Sequence, residues 1–272
     1  MSVWEALILG VVQGITEFLP VSSSGHLVLL QKIFGIEEAA LVFDTALHGG
    51  TLIAVIVVLR HDILNILRRI VQPVTLYLII ATIPAVIVAL LFKDFIESAF
   101  TSGAFLGFAF LLTSLLLITS EMLYKRAKKN TQARGQDRIN LLDAVFIGIL
   151  QAAALVPGLS RSGATISAGL FRRLDRDFAA RFSFLLSIPA ILGALLLQAK
   201  DLIRAAAGQG ADEAALIGAN TIGILPIAVG TISAGIVAFF SIKLALKIVR
   251  EHSLWGFALY TGILGLLTLI FI

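Results

Sequence analysis

The chain has 272 residues, 58% of them hydrophobic and 14% charged, with a mean hydropathy of +0.99 and a net charge of +4. A soluble domain carries about 25% charged residues, so this composition excludes an ordinary soluble enzyme and describes one domain folded inside a bilayer. Cysteine is absent, which excludes disulfides and thiolate chemistry, and the four histidines are scattered, which argues against a zinc cluster.

The N-terminal "MSVWEALILG" lacks a basic region and meets Glu5 early, so it does not read as a cleavable signal peptide. The apolar stretch 3–34 is then broken at "EFLPVSSSG". Spans are predicted near 39–59, 74–92 and 99–120, each long enough to cross about 30 Å as a helix. Within the third, "GAFLGFAF" at 103–110 has small residues four apart that suit close helix packing. A second broken stretch, 141–171, is interrupted at "VPGLSRSG". "FRRLDRDFAAR" at 171–181 reads as an interfacial connector meeting anionic lipid. Three further spans are predicted near 182–199, 222–242 and 254–272.

The two broken stretches carry Pro, Gly and Ser at the break, and each half is too short to cross. Non-helical backbone at membrane depth requires cover by protein or a water-filled cavity. Both are read as re-entrant hairpins, the alternative being a kinked full span.

Basic residues collect in the connectors 60–69, 124–138 and 247–252, while 93–98 and 200–213 are mixed or near neutral. The positive-inside rule puts the basic set in the cytoplasm and both termini outside. The first hairpin then enters from outside and the second from the cytoplasm. These connectors orient a membrane protein and are not a nucleic-acid patch. His61 and His252 fall in them and read as solvated.

"ALILGVVQG" at 6–14 resembles "AVFIGILQA" at 144–152, and Gln13 to Gly25 matches Gln151 to Gly163 in length. Each half is one hairpin plus three spans, an odd number of crossings, so the second half is inverted. The expected fold is an all-α integral membrane protein with an inverted-topology repeat. Its parts are 1–123, a basic connector at 124–140, and 141–272, within a single domain 1–272.

This arrangement brings Glu17, His26 and Arg161 to two facing tips. An ionisable group at membrane depth costs a few kcal/mol or more and is a functional candidate by default. Ser22, Ser23 and Ser24 before Gly25 suit the start of a half-helix, whose free N–H groups favour an anion. Ser160, Ser162, Gly163 and Thr165 do the same from the other tip, and Arg161 adds a guanidinium that forks onto phosphate oxygens. The pocket suits a phosphorylated ligand. Gln13 and Glu17 share a helix face, and a carboxamide oxygen beside a carboxylate suits a hard cation such as Mg²⁺ or Ca²⁺. Ser23 and His26 lie three apart, a spacing that allows a nucleophile–base pairing. Simple helix capping accounts equally well for Ser22 and Ser24, and Glu17 paired to Arg161 could be purely structural. Asp44 and His48, at the start of a span, suit a pore-lining or structural role as well as a catalytic one.

"GVVQGITEFLPVSSSGHL" together with "PGLSRSGATIS" and the downstream "FSFLLSIPAILGA" resembles the undecaprenyl-diphosphate phosphatases, the bacitracin-resistance family, over nearly the whole chain. The resemblance implies removal of the terminal phosphate from undecaprenyl diphosphate, which recycles the carrier lipid for cell-wall synthesis. It implies a bacterial inner-membrane protein whose site opens to the periplasmic face. The family pattern of Glu or Gln, three residues, then Glu falls on Gln13 and Glu17. The serine–histidine element falls on Ser23 and His26, and the phosphate-binding arginine on Arg161, with Thr165 one turn on. In this reading Ser23 is the nucleophile, with Glu17 or His26 accepting its proton, and His26 as the direct nucleophile is the close rival. The partners are the lipid substrate and the bilayer, with no nucleic acid, and a homodimer is left open. A competing class is a transporter or lipid flippase, because inverted repeats with broken helices are also a transporter architecture.

Overall fold

The computed structural model describes residues 1–36, 40–103, 105–128, 134–206 and 222–271. The middle of the basic connector at 129–133, the second half of the expected connector at 200–213, and the first residue of the 39–59 span lie outside the described residues, as does Ile272. The described chain is helical throughout, with one isolated backbone bridge between Arg134 and Leu174.

The first broken stretch forms α1 (Val3–Thr16) and α2 (Ser23–Phe34), and the second forms α8 (Leu141–Ala153) and α9 (Arg161–Phe171). At 14, 12, 13 and 11 residues, none is long enough to cross. α1 opens with a capping box between Ser2 and Glu5, and α8 repeats it with Asn140 and Asp143. α1 packs on α2, and α8 on α9.

The remaining helices are α3 (Ala40–Val58), α4 (Arg60–Arg68), α5 (Pro73–Leu91), α6 (Lys93–Ser102), α7 (Leu106–Lys128), α10 (Arg176–Ala206), α11 (Ile224–Glu251) and α12 (Trp255–Phe271). Pro73–Leu91, Leu106–Ala127, Arg176–Asp201 and Ile224–Glu251 are long and apolar enough to cross a membrane, and α3 with α4 forms a bent pair at 73°. This is a multi-pass, all-helical membrane protein. α12 has 17 residues, the lower end of the crossing range.

Two expected connectors are helices. "RHDILNILR" becomes α4 because its apolar residues recur at helical spacing, which its charge had masked. The 93–98 connector is the first part of α6, which Gly103 ends in the left-handed region at φ 63°. The third span therefore starts at Leu106 rather than 99.

Small residues set the helix contacts. α1 packs on α11, and a Cβ at Gly10 would collide with the Gly230 carbonyl. α8 packs on α5, and a Cβ at Gly148 would meet the Ala81 carbonyl. α7 packs on α12 where Gly107 meets Gly265, so one of the small residues of 103–110 does bring two helices close.

Acids on the basic side are tied down. Glu121, wholly buried, accepts both Arg176 Nη2 contacts at 2.7 and 2.6 Å and the Leu254 N–H at 3.2 Å. Asp143, also wholly buried, accepts from Arg134 at 2.9 Å and Arg172 at 2.7 Å. These pairs anchor α7 and α8 at the ends that the basic connector joins.

Candidate active site

α1 ends at Glu17, whose N–H still bonds the Gln13 carbonyl, so the carboxylate sits at the turn into the first break. α2 begins with Ser22 as N-cap, accepting from the Gly25 N–H at 3.3 Å. Ser22 holds φ 70° and ψ 93°, a sparsely populated conformation for a residue with a side chain. On the other tip, Ser160 caps α9 by accepting from the Gly163 N–H at 3.0 Å, so Arg161 is the first helical residue.

The two tips touch. Ser162 Oγ donates to the Leu19 carbonyl at 2.9 Å. A Cβ at Gly25 would strike the Phe110 ring and the Cα of Gly158, so only glycine admits this approach. Thr113, on α7, braces the second break by accepting from the Ser160 N–H at 3.0 Å and donating to the Gly158 carbonyl at 3.2 Å.

Glu17 is the hub. It is buried, with 7% of its surface exposed. Oε1 accepts from Arg161 Nη2 at 2.6 Å. Oε2 accepts from Ser23 Oγ at 2.6 Å and from Gln13 Nε2 at 3.1 Å. His48 Nε2 lies 3.4 Å from the same oxygen. A carboxylate accepting from a serine hydroxyl is placed to take its proton.

Arg161 donates through Nη1 to the Ser183 carbonyl at 3.2 Å and lies 5.9 Å over the Phe18 ring. Two of its five donors are used, and the rest of the fork remains for phosphate oxygens. Thr165 Oγ1 donates to the Arg161 carbonyl at 2.8 Å and shares a 2.6 Å contact with Ser183 Oγ. Ser22 and Ser24 face each other at 3.3 Å, as do Ser160 and Ser162 at 3.2 Å.

His26 stands apart. Its Nδ1 is 2.6 Å from the Ser22 carbonyl, so that nitrogen carries the hydrogen, since a carbonyl only accepts. Its Nε2 is 2.6 Å from the Tyr260 hydroxyl, and the rings lie nearly parallel at 8°. The Ser23–His26 pairing suggested by their spacing is not made: the first-turn ring folds back on its own cap and against α12, and Ser23 turns to Glu17 instead.

Three residues at or beside the cluster were not assigned from sequence. His48 reaches it from α3, its Nδ1 held 2.7 Å from the Asp44 carbonyl, while Asp44 accepts from Gln31 at 2.6 Å. Ser183 and Tyr260 come from α10 and α12. Asp44 and His48 did carry a signal, as charged and titratable groups four apart in an apolar span. Ser183 lies within the family-like segment "FSFLLSIPAILGA", where nothing sets it apart from its neighbours, and Tyr260 carries no local signal.

Gln13 is wholly buried and its Oε1 has no partner among the described residues. No group of three or more His, Asp or Glu side chains forms a metal cage among the described residues. Gln13 turns its Nε2 to Glu17, and its unpartnered Oε1 together with the carboxylate fits a hard cation that takes one or two protein ligands and completes its shell with phosphate oxygens, the usual Mg²⁺ pattern.

The family model described as "Bacitracin resistance protein BacA" matches residues 6–267. The chain belongs to this family. It is 44% identical over 270 residues to an undecaprenyl-diphosphatase of Carboxydothermus hydrogenoformans, covering 99% of this chain and 97% of that protein. It is 42% identical over 265 residues to undecaprenyl-diphosphatase 4 of Bacillus cereus, covering 97% and 95%. A third undecaprenyl-diphosphatase, from Halothermothrix orenii, is 38% identical over 274 residues and covers 99% and 98%.

Proposed function

We propose that this chain hydrolyses undecaprenyl diphosphate to undecaprenyl phosphate and inorganic phosphate, recycling the carrier lipid for cell-wall synthesis and conferring bacitracin resistance. The observation that carries the reading is the Ser23–Glu17–Arg161 array, a hydroxyl on a carboxylate at 2.6 Å facing a guanidinium from the opposite tip. An array of this kind serves phosphoryl transfer better than it serves as an ion cage, which favours hydrolysis over a transporter or flippase.

In the mechanism, the terminal phosphate enters between the tips and draws Arg161 from Glu17 onto its oxygens. Ser23, Ser22 and Ser24 lie on one side and Ser160, Ser162, Gly163 and Thr165 frame the other. Ser23 Oγ attacks the terminal phosphorus while Glu17 takes its proton. The bond from that phosphorus to the bridging oxygen breaks, and undecaprenyl phosphate leaves with the proton that Glu17 took from Ser23. Water then attacks the phosphoserine while Glu17, again a carboxylate, takes its proton; the bond from phosphorus to Ser23 Oγ breaks, phosphate leaves, and Glu17 returns the proton to Oγ. Arg161 and the N–H groups at the start of α9 carry charge on the phosphoryl oxygens, the main catalytic need in such transfers. His26, with Nε2 as acceptor toward Tyr260, is the rival nucleophile. Gln13 Oε1 and Glu17 would hold Mg²⁺ or Ca²⁺, and the cation would neutralise diphosphate charge.

The fold is read as an inverted-topology repeat, 1–123 and 141–272 around the connector 124–140. Three correspondences support it: the paired capping boxes at Ser2/Glu5 and Asn140/Asp143, the buried Gln13 and Gln151 that both leave Oε1 unpartnered, and the reciprocal packing of α1 on α11 and α8 on α5. The basic connectors support a cytoplasmic face for 124–138 and a site opening to the periplasmic side of the inner membrane. The test is phosphate release from undecaprenyl diphosphate by the purified protein in vesicles. Release that is lost in Glu17→Gln supports the reading; lipid translocation without release would revive the flippase.

A further inference from the structure

α4 has no buried residue and leaves α3 at 73°. Nine residues turned that far do not continue a crossing, so they run along the basic face of the protein. The apolar residues divide into two flanks. Ile63 and Ile66 pack on the core. Leu64 and Leu67 are 44% and 61% exposed, and Val71, just beyond the helix, is 100% exposed. An amphipathic helix with one free apolar flank and arginines on its polar side lies in a membrane interface.

Beside that flank is a polar recess. Asn65, Arg68, Arg69, Gln72 and Gln136 line a cavity of ≈ 410 Å³. Among the described residues, no carboxylate lines it. Asp62 borders the adjoining smaller recess, but it is engaged by Arg181 at 3.0 Å. Neither Arg68 nor Arg69 has a side-chain partner among the described residues. Two guanidiniums that no described carboxylate opposes, with three carboxamides, make a donor-rich, net-positive hollow beside the free apolar flank of α4. Guanidiniums fork onto phosphate oxygens, and each basic side chain near an anionic leaflet contributes about 1 kcal/mol.

We propose that this recess binds the phosphate headgroup of an anionic phospholipid, with Leu64, Leu67 and Val71 seated against its acyl chains. The site is separate from the tips and does not depend on the reaction assigned to them.

Native mass spectrometry of the detergent-purified full chain, titrated with phosphatidylglycerol or phosphatidylcholine, tests it. Phosphatidylglycerol should bind in preference, and Arg68→Gln/Arg69→Gln should weaken the tightest binding by about tenfold or more, from two lost contacts of that size. Arg126→Gln/Lys247→Gln removes the same charge from other basic segments and should leave that binding unchanged. Equal loss in both double variants would mean diffuse surface charge and no site. Displacement by inorganic phosphate as effective as by the lipid would also overturn the proposal. A second measurement does not depend on the arginine variants folding. The chain has no cysteine, so a nitroxide on Leu67→Cys reports depth in phosphatidylcholine–phosphatidylglycerol vesicles. Oxygen accessibility typical of the acyl region is expected, and accessibility to a water-soluble relaxant would contradict the seating.

Discussion

Ser23 Oγ donates to Glu17 Oε2 at 2.6 Å, joining the first helical position of α2 to the C-terminal cap of α1 across the first break. The same carboxylate receives Arg161 from the start of α9 through its other oxygen. One buried acid thus connects a nucleophile candidate to a phosphate-binding candidate that lies 144 positions away in the chain.

Arg161→Lys keeps the charge but loses the fork that can hold two phosphate oxygens at once. The expected loss in kcat/KM is about 10²-fold or more, the scale of one removed oxyanion donor. Steady-state phosphate release measures it. Turnover near that of the unaltered protein would make the arginine a structural counter-ion.

His48→Ala should lower kcat about tenfold, the lower end for a residue that orients another. His48 Nε2 approaches Glu17 at 3.4 Å and touches neither Ser23 nor Arg161 by a hydrogen bond. His48→Gln, which can still donate to the carboxylate, should recover part of the loss. Equal damage in both variants would point to packing of α3 instead.

For the cation, the unpartnered Gln13 oxygen predicts that chelator abolishes turnover and Mg²⁺ or Ca²⁺ restores it. Gln13→Glu adds a carboxylate and should lower the cation concentration needed for half-maximal rate. Full turnover in chelator would remove the metal from the account.

Orientation has its own test. A thiol at Trp4→Cys, where the side chain is 74% exposed, should label from outside intact cells, and one at Arg138→Cys should not. The reverse pattern would invert the topology.

Much of this was legible from local sequence, for physical reasons. Pro20 and the serines, and Pro157, Gly158 and the serines after them, stop one helix and cap the next, so both breaks show in the chain. Glu17 and Arg161 stand out because ionisable groups are costly in an apolar stretch. Helices α4 and α6 were hidden because their charge resembles that of connectors. The direction of His26 was hidden because three-residue spacing permits contact with Ser23 but does not favour it over the Ser22 carbonyl and Tyr260. His48 showed in the sequence as a titratable group in an apolar span, but its reach to Glu17, like the contacts of Ser183 and Tyr260, comes from the packing of α3, α10 and α12.

Single-turnover phosphate release by Ser23→Ala, run beside a binding assay for undecaprenyl diphosphate, tests the Ser23–Glu17 account most directly. Loss of a nucleophile lowers the chemical rate while binding persists. Release should nearly vanish in Ser23→Ala and fall by about 10²–10⁴-fold in Glu17→Gln, the range for a lost general base. Ser22→Ala and Ser24→Ala lose at most a cap of about 1 kcal/mol and should stay active. Ser23→Ala turning over within a few-fold of the unaltered protein, with His26→Ala inactive, would contradict the account and move the attack to His26.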